Sequence, residues 1–191
     1  MNPNIEVDLK KLERHFYTSS SCGVCGKASI DSIEIHGTII LNEEEFSIDH
    51  DILTEMPGKI RNRQSIFEHT GGLHAAALFN IHGDLIMIRE DVGRHNALDK
   101  LIGAGFSSHQ LPFDKHVLLL SGRTSFELIQ KAAMAGIKIV AAIGAPSSLA
   151  VETAKRFKIT LIGFLRENRF NIYSEKGRVA ISSAKISSVN L

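Results

Sequence analysis

The sequence predicts an α/β fold built on a largely parallel sheet, and three observations carry that expectation. The runs HVLLL (116–120), IKIVAAI (137–143) and ITLIGFL (159–165) are short and apolar, as strands buried on both faces are. Two segments with helical spacing separate them. Strand, helix, strand, helix, strand within about 50 residues implies right-handed crossovers and parallel pairing.

In chain order, Ile5 to Ser20 is ambiguous and ends in HFYTS (15–19), a candidate strand leading into two cysteines. A helix is expected from Lys27 to Ile33, while Ser32 to Phe46 fits neither period cleanly. GGLHAAALFN (71–80) reads as a helix opening after two glycines. Leu85 to Ile88 reads as a strand, and Asn96 to Ile102 as a helix that turns Ala97, Leu98, Leu101 and Ile102 inward. The first crossover helix is expected from Ser125 to Ala135, closed by Gly136. The second begins near Pro146 to Ser148 and carries Leu149, Val151, Ala154 and Phe157. Proline near the start and glycine past the end match the asymmetry of helix termini. RFNIY (169–173) reads as one more strand after a turn. No internal repeat and no linker rich in Pro, Gly or Ser divides the chain, so one domain over 1–191 is expected, with Ser182 to Leu191 frayed.

Composition agrees with a folded chain. Hydrophobic residues make up 43% and charged residues 23% of 191, and a chain of this length buries roughly 70% of its unfolded surface. With 22 basic against 21 acidic residues, the formal charge of +1 supplies no field for binding a nucleic acid polymer or an anionic membrane. The start, MNPNIEVDLKKLERHF, places charges where a signal peptide needs an apolar core, and no apolar run approaches the ~18 residues needed to span a bilayer. A cytoplasmic location is expected.

The strongest chemical signal is Ser19-Ser20-Ser21-Cys22-Gly23-Val24-Cys25-Gly26, which holds the only two cysteines. Small neighbours and a glycine after each cysteine make such thiols accessible. Zinc, thioredoxin-like redox chemistry and sulfur transfer all remain open from this motif alone. A closed zinc site takes four ligands, however, and no second CxxC exists.

The second signal is a pair of loops, Ser121-Gly122-Arg123-Thr124 and Gly144-Ala145-Pro146-Ser147-Ser148, each placed between a strand and a helix. Loops there form the ligand crevice of open parallel sheets, and helix N-termini favour anions. Thr124, Ser125, Ser147 and Ser148 equally suit plain helix capping, whereas Arg123 has no part in a cap. Gly163-Phe164-Leu165-Arg166-Glu167-Asn168-Arg169 follows the third strand with two arginines, an acid and an amide. Those are groups that suit phosphate and a guanine edge, or a solvated turn. In Glu90-Asp91-Val92-Gly93-Arg94-His95-Asn96, Arg94 and His95 are candidates to line the crevice.

Taken in order, SSCGVCGKAS, TGGLHAAALF, EDVGRHNALDK, LLLSGRTSFELIQKAAMAGI and GAPSSLAVE make the chain resemble the FdhD/NarQ family of formate dehydrogenase accessory sulfurtransferases, from about His15 to Tyr173. The resemblance implies a three-layer, cytidine-deaminase-like α/β fold with a mixed, largely parallel sheet and helices on both faces. It implies that a cysteine desulfurase loads a persulfide on Cys22, with Cys25 as an assisting thiol. The sulfur then passes to a client, the molybdenum bis(molybdopterin guanine dinucleotide) cofactor of formate dehydrogenase. It also implies that Phe164, Leu165, Arg166, Glu167, Asn168 and Arg169 form the cofactor-binding stretch and that the protein is a homodimer. From the residues themselves, Gly122, Arg123 and Thr124 of the loop before the first crossover helix are expected to join that site, and two cysteines without a second CxxC are expected to hold no metal tightly. Family members usually carry a β-rich region before the cysteines, of which only about 20 residues are present here. Two other functions are weighed beside this one. A zinc deaminase needs H-x-E before P-C-x-x-C, but His74-Ala75-Ala76 lacks the glutamate and no proline precedes Cys22. A noncatalytic chaperone for the cofactor would need the nucleotide pocket and not the thiols.

Overall fold

The computed structural model describes residues 46–63 and 72–180, all within one compact unit, Ile39–Leu191. HFYTS, both cysteines, the helix expected over Lys27 to Ile33, the ambiguous stretches and the C-terminal fray lie outside the described residues, so the single-domain expectation for 1–191 is not addressed by them.

The described elements run β1 (Ile48–Asp49), α1 (His50–Arg61), β2 (His74–Asn80), β3 (Leu85–Asp91), α2 (Arg94–Ser107), β4 (His116–Leu120), α3 (Phe126–Met134), β5 (Ile139–Ala142), α4 (Ser148–Arg156), β6 (Thr160–Gly163), β7 (Asn171–Ser174) and β8 (Val179–Ala180). Six strands form one sheet in the order β3-β2-β4-β5-β6-β7, and β1 pairs with β8 in parallel beside α1. The β4–β5 and β5–β6 pairs are parallel, while β2–β3, β2–β4 and β6–β7 are antiparallel. Strands β3, β4, β5 and β6 therefore share one direction, which gives the mixed, largely parallel sheet that the sequence predicts.

Alternation along each strand sorts side chains to two faces. Leu118 and Leu120 of β4, Val140 and Ala142 of β5 and Leu161 of β6 pack with Ala97, Leu98 and Leu101 of α2, Leu128, Ile129 and Ala132 of α3, and Ala150 and Ala154 of α4. Val117, Leu119, Ile139, Ala141 and Ile162 point the other way, onto Leu53, Met56 and Ile60 of α1. The result is three layers, with three helices on one face and α1 on the other.

The crossover helices begin and end where the sequence places them. Helix α3 has Ser125 as its N-cap and Ala135 as its C-cap, with Gly136 at φ +80° just beyond, the left-handed conformation in which glycine ends helices. Helix α4 is capped by Ser147, whose Oγ accepts from the Ala150 amide at 3.1 Å.

One element differs in kind from its expectation. Residues 74–80 form strand β2, not a helix. Alanines favour helix locally, but Ala75, Ala76, Ala77, Leu78 and Phe79 are all buried because β2 lies between β3 and β4. There Ala76 and Leu78 join one core and Ala75, Ala77 and Phe79 the other. Pairing and burial on both faces override a propensity worth a few tenths of a kcal/mol per residue.

Candidate functional site

Direction in the sheet decides where the polar segments meet. The carboxyl ends of β3, β4, β5 and β6 and the amino ends of the oppositely directed β2 and β7 lie at one end of the sheet. This end gathers His74, the turn into α2 with Arg94 and His95, the Ser121 to Thr124 loop, the Gly144 to Ser147 loop and the Phe164 to Arg169 turn.

The three loops after β4, β5 and β6 are stitched together by their backbones. The Thr124 amide donates to the Ala145 carbonyl at 3.1 Å, Thr124 accepts from the Ser147 amide at 3.0 Å, and Gly144 donates to Gly122 at 3.2 Å. Phe164 then donates to Gly144 at 3.1 Å and Leu165 to Ala142 at 3.0 Å. Glycine is required at 144, where a Cβ would stand 2.8 Å from both the Arg123 nitrogen and the Gly122 oxygen. These loops prolong the parallel pairing past the strands, so they form a rigid rim.

The side chains expected at the site divide into struts and exposed groups. Leu165 is wholly buried in the α1-side core and anchors the turn. Arg166 bridges loops: its Nη1 donates to the Ile143 carbonyl at 2.7 Å and to its neighbour Leu165 at 2.9 Å, while its amide donates to Arg169 at 2.9 Å. Glu167, Asn168 and Arg169 are exposed, and Glu167 stands 3.8 Å from Arg61 of α1. Phe164 is a 43%-exposed aromatic ring held at φ +53°, an uncommon left-handed backbone for a bulky residue. Thr124 is 1% exposed, its two backbone groups are engaged, and its buried Oγ1 has no hydrogen-bond partner among the described residues. Gly122 and Arg123 complete the rim. Cys22 and Cys25 lie outside the described residues.

Two histidines stand at the same end. His95 Nε2 lies 3.0 Å from Ser125 Oγ and 3.0 Å from Glu127 Oε2, tying the start of α2 to the start of α3. Burial pushes its pKa down, the Glu127 carboxylate pulls it back up, and the outcome is a lowered value. His74 opens β2 opposite Asp91. Burial first, and the Arg94 guanidinium second, lower its pKa as well. Asp91 is held down to about 2 by hydrogen bonds from Lys100, the Gly93 amide and Asn96. The pairing of His95 with Ser125 and Glu127, and the position of His74, are not readable from sequence, since both arise from contacts between separate elements. Among the described residues no three His, Cys, Asp or Glu side chains are grouped to hold a metal ion, and no helix is long and apolar enough to cross a membrane.

A family model described as the FdhD/NarQ family matches residues 2–180. Proteins named sulfur carrier protein FdhD are similar over most of the chain. That of Streptomyces coelicolor is 48% identical over 183 residues, covering 95% of this chain and 65% of its own. That of Mycobacterium tuberculosis is 47% identical over 177 residues, covering 93% and 64%. The chain thus spans just under two thirds of the length of these relatives. A solved structure from Desulfotalea psychrophila, described as a formate dehydrogenase accessory protein, superposes with a TM-score of 0.66 at 27% identity, covering 71% of this chain and 57% of the other.

Proposed function

Since the chain belongs to the FdhD/NarQ family, we propose that it is a sulfur carrier that takes a persulfide sulfur from a cysteine desulfurase and passes it to the molybdenum bis(molybdopterin guanine dinucleotide) cofactor of formate dehydrogenase. The observation that carries this reading is that the match over 2–180 takes in both Cys22 and Cys25, while relatives matched over the same region bear the name sulfur carrier.

The chemistry needs no oxidant. The Cys22 thiolate attacks the outer sulfur of the desulfurase persulfide. The sulfur–sulfur bond there breaks, the desulfurase cysteine leaves as a thiolate, and the new bond leaves the outer sulfur on Cys22. Cys25, three residues on, assists release: its thiolate attacks the inner sulfur of the Cys22 persulfide, the outer sulfur leaves at the sulfide level for the client, and a Cys22–Cys25 disulfide remains. The client is bound by its guanine dinucleotide at the rim. Phe164 offers an exposed ring to a base, Glu167 and Asn168 offer an acceptor and an amide to a guanine edge, and Arg123 and Arg169 offer charge to phosphate. Arg166 supports the turn rather than the ligand, because its guanidinium is bonded to the Ile143 and Leu165 carbonyls. The protein is expected to work as a cytoplasmic homodimer.

A deaminase reading gains nothing from the fold. His74 sits on a strand, and Ala76, where the required glutamate would stand, is buried in the core. Mass spectrometry after incubation with a cysteine desulfurase and cysteine tests the proposal. A gain of one sulfur atom, lost in Cys22→Ala and retained in part in Cys25→Ala, is the expected result. Normal maturation of formate dehydrogenase by a variant lacking both thiols would leave only a chaperone that binds the cofactor.

A further inference from the structure

Resting on the reading of the Phe164 to Arg169 turn as a guanine site, we infer that Arg61 of α1 is a positioning residue for that site. It holds the Glu167 carboxylate where the donors of a guanine edge can reach it, and so favours guanine over bases that lack them. Arg61 and Glu167 lie 106 positions apart (167 minus 61); the fold joins them through α1.

Helix α1 supports the turn at three places. Leu165 is buried in the core that holds Leu53, Met56 and Ile60 of α1. Phe170, just past the turn, stacks at a tilt on His50, with ring centroids 4.9 Å apart. Between these anchors the Arg166 amide donates to the Arg169 carbonyl at 2.9 Å and closes the turn, which leaves Glu167 and Asn168 at its tip. The third contact is at that tip, where Arg61 Nη1 stands 3.8 Å from Glu167 Oε1. Basic residues in a last turn suit the helix dipole, and α1 ends with both Lys59 and Arg61. Lys59, however, donates to the Gly83 carbonyl at 2.8 Å, so of the two only Arg61 serves the turn.

The separation decides what kind of contact this is. At 3.8 Å the two groups attract by charge without forming a hydrogen bond, so the lone pairs of the carboxylate stay open to a ligand. An ionised carboxylate offers about four acceptor sites, and guanine presents two donors side by side, the ring N1–H and the 2-amino group. Adenine lacks both of these donors, and hypoxanthine lacks the amino group. Both side chains are 73% exposed. A glutamate that exposed, with no partner, would have to be ordered by the ligand itself, which weakens binding. Arg61 restricts it beforehand, and solvent screening of such a pair limits the gain to about two- to fivefold in affinity.

Calorimetry with the full chain, comparing GDP with IDP, tests the inference, because IDP carries the same sugar and phosphates and lacks only the 2-amino group. GDP is expected to bind about tenfold more tightly. Arg61→Ala should cut that preference about two- to fivefold and leave IDP affinity within about twofold of its starting value. Arg61→Lys, which keeps the charge, should retain most of the preference. Glu167→Gln should abolish it, and adding Arg61→Ala to that variant should change it no further. If Arg61→Ala lowered GDP and IDP affinity by the same factor, Arg61 would act on phosphate or on the turn as a whole, and the inference would be overturned. A preference lost in Glu167→Gln but untouched in Arg61→Ala would overturn it too, with the guanine reading left standing. Equal binding of GDP and IDP by the unaltered protein would instead end the guanine reading, and this inference with it.

Discussion

The two ends of the central sheet use their polar residues differently. At the end opposite the crevice, polar side chains close the backbone. Asn80 Oδ1 accepts from the His82 and Asp84 amides, both at 2.9 Å, Lys59 Nζ donates to the Gly83 carbonyl at 2.8 Å, and Arg178 donates to Lys158 at 2.7 Å. At the crevice end the backbones of three loops bond to one another, which leaves Phe164, Glu167, Asn168 and Arg169 exposed on a rigid rim. A backbone that satisfies itself releases its side chains for a ligand. Substitutions at the far end should therefore change stability and not affinity, and those at the crevice the reverse.

The largest expected effect tests the first half of that statement. Gly105, on α2 away from the crevice, faces Phe113, and a Cβ there would stand 2.1 Å from the ring. Gly105→Ala should destabilise the fold by about 3 kcal/mol, read from the urea midpoint, while GDP affinity of the folded protein stays unchanged. A loss of affinity at constant folded fraction would break the separation.

Arg166 offers the converse test at a smaller scale. Its guanidinium joins the β5 loop to the β6 turn without touching the core. Arg166→Ala should weaken GDP binding about tenfold and cost roughly 1 kcal/mol of stability. Arg169→Ala, whose side chain is exposed, should weaken binding with no measurable loss of stability. Equal stability losses in the two variants would mean that the rim is not held by Arg166.

How much of this was legible in the sequence depends on whether the signal was local. Helix α3 follows from a serine, an amphipathic run and a glycine, and β4, β5 and β6 from apolar runs that only a sheet covered on both faces can accept. Strand β2 was not legible, because three alanines carry helix propensity and only their burial between β3 and β4 makes them strand. Helix α1 was missed since Pro57 and Gly58 interrupt HDILTEMPGKIR, and its face is fixed by Leu53, Met56 and Ile60 meeting the sheet. The loops of the rim were readable as loops, but not that Leu165 faces the core or that Arg166 is a strut.

Acidification gives a third, smaller test. His74, His95 and His116 all have pKa values lowered chiefly by burial. The unfolded chain then binds more protons than the native one, so stability is full above the unfolded value near 6.5 and declines as pH falls through it toward the lower native values. The melting temperature should drop by a few degrees between pH 7.5 and 5.5. His116 starts β4, away from the crevice, so His116→Gln should flatten that dependence without altering GDP binding. A His116 variant that changed GDP binding would show the two ends to be coupled.

The smallest expected effects come from two serines that occupy the same position at neighbouring helices of the crevice. Ser147 is the N-cap of α4 and its Oγ accepts from the Ala150 amide. Ser125 is the N-cap of α3, but its Oγ lies 3.0 Å from His95 Nε2 and caps nothing on its own helix. A cap lost to alanine costs about 1 kcal/mol, so Ser147→Ala should lower stability by that amount and leave affinity alone, a far-end behaviour at the crevice end. Ser125→Ala removes no cap, so its cost should be a few tenths of a kcal/mol. What it does remove is one of two oxygens beside His95 Nε2, leaving the imidazole to Glu127 alone. The His95 titration, followed by NMR of its ring protons, should shift in Ser125→Ala and stay fixed in Ser147→Ala. Equal stability losses with no shift in that titration would mean that Ser125 acts as an ordinary cap, and that the contact between α2 and α3 rests on His95 and Glu127 without it.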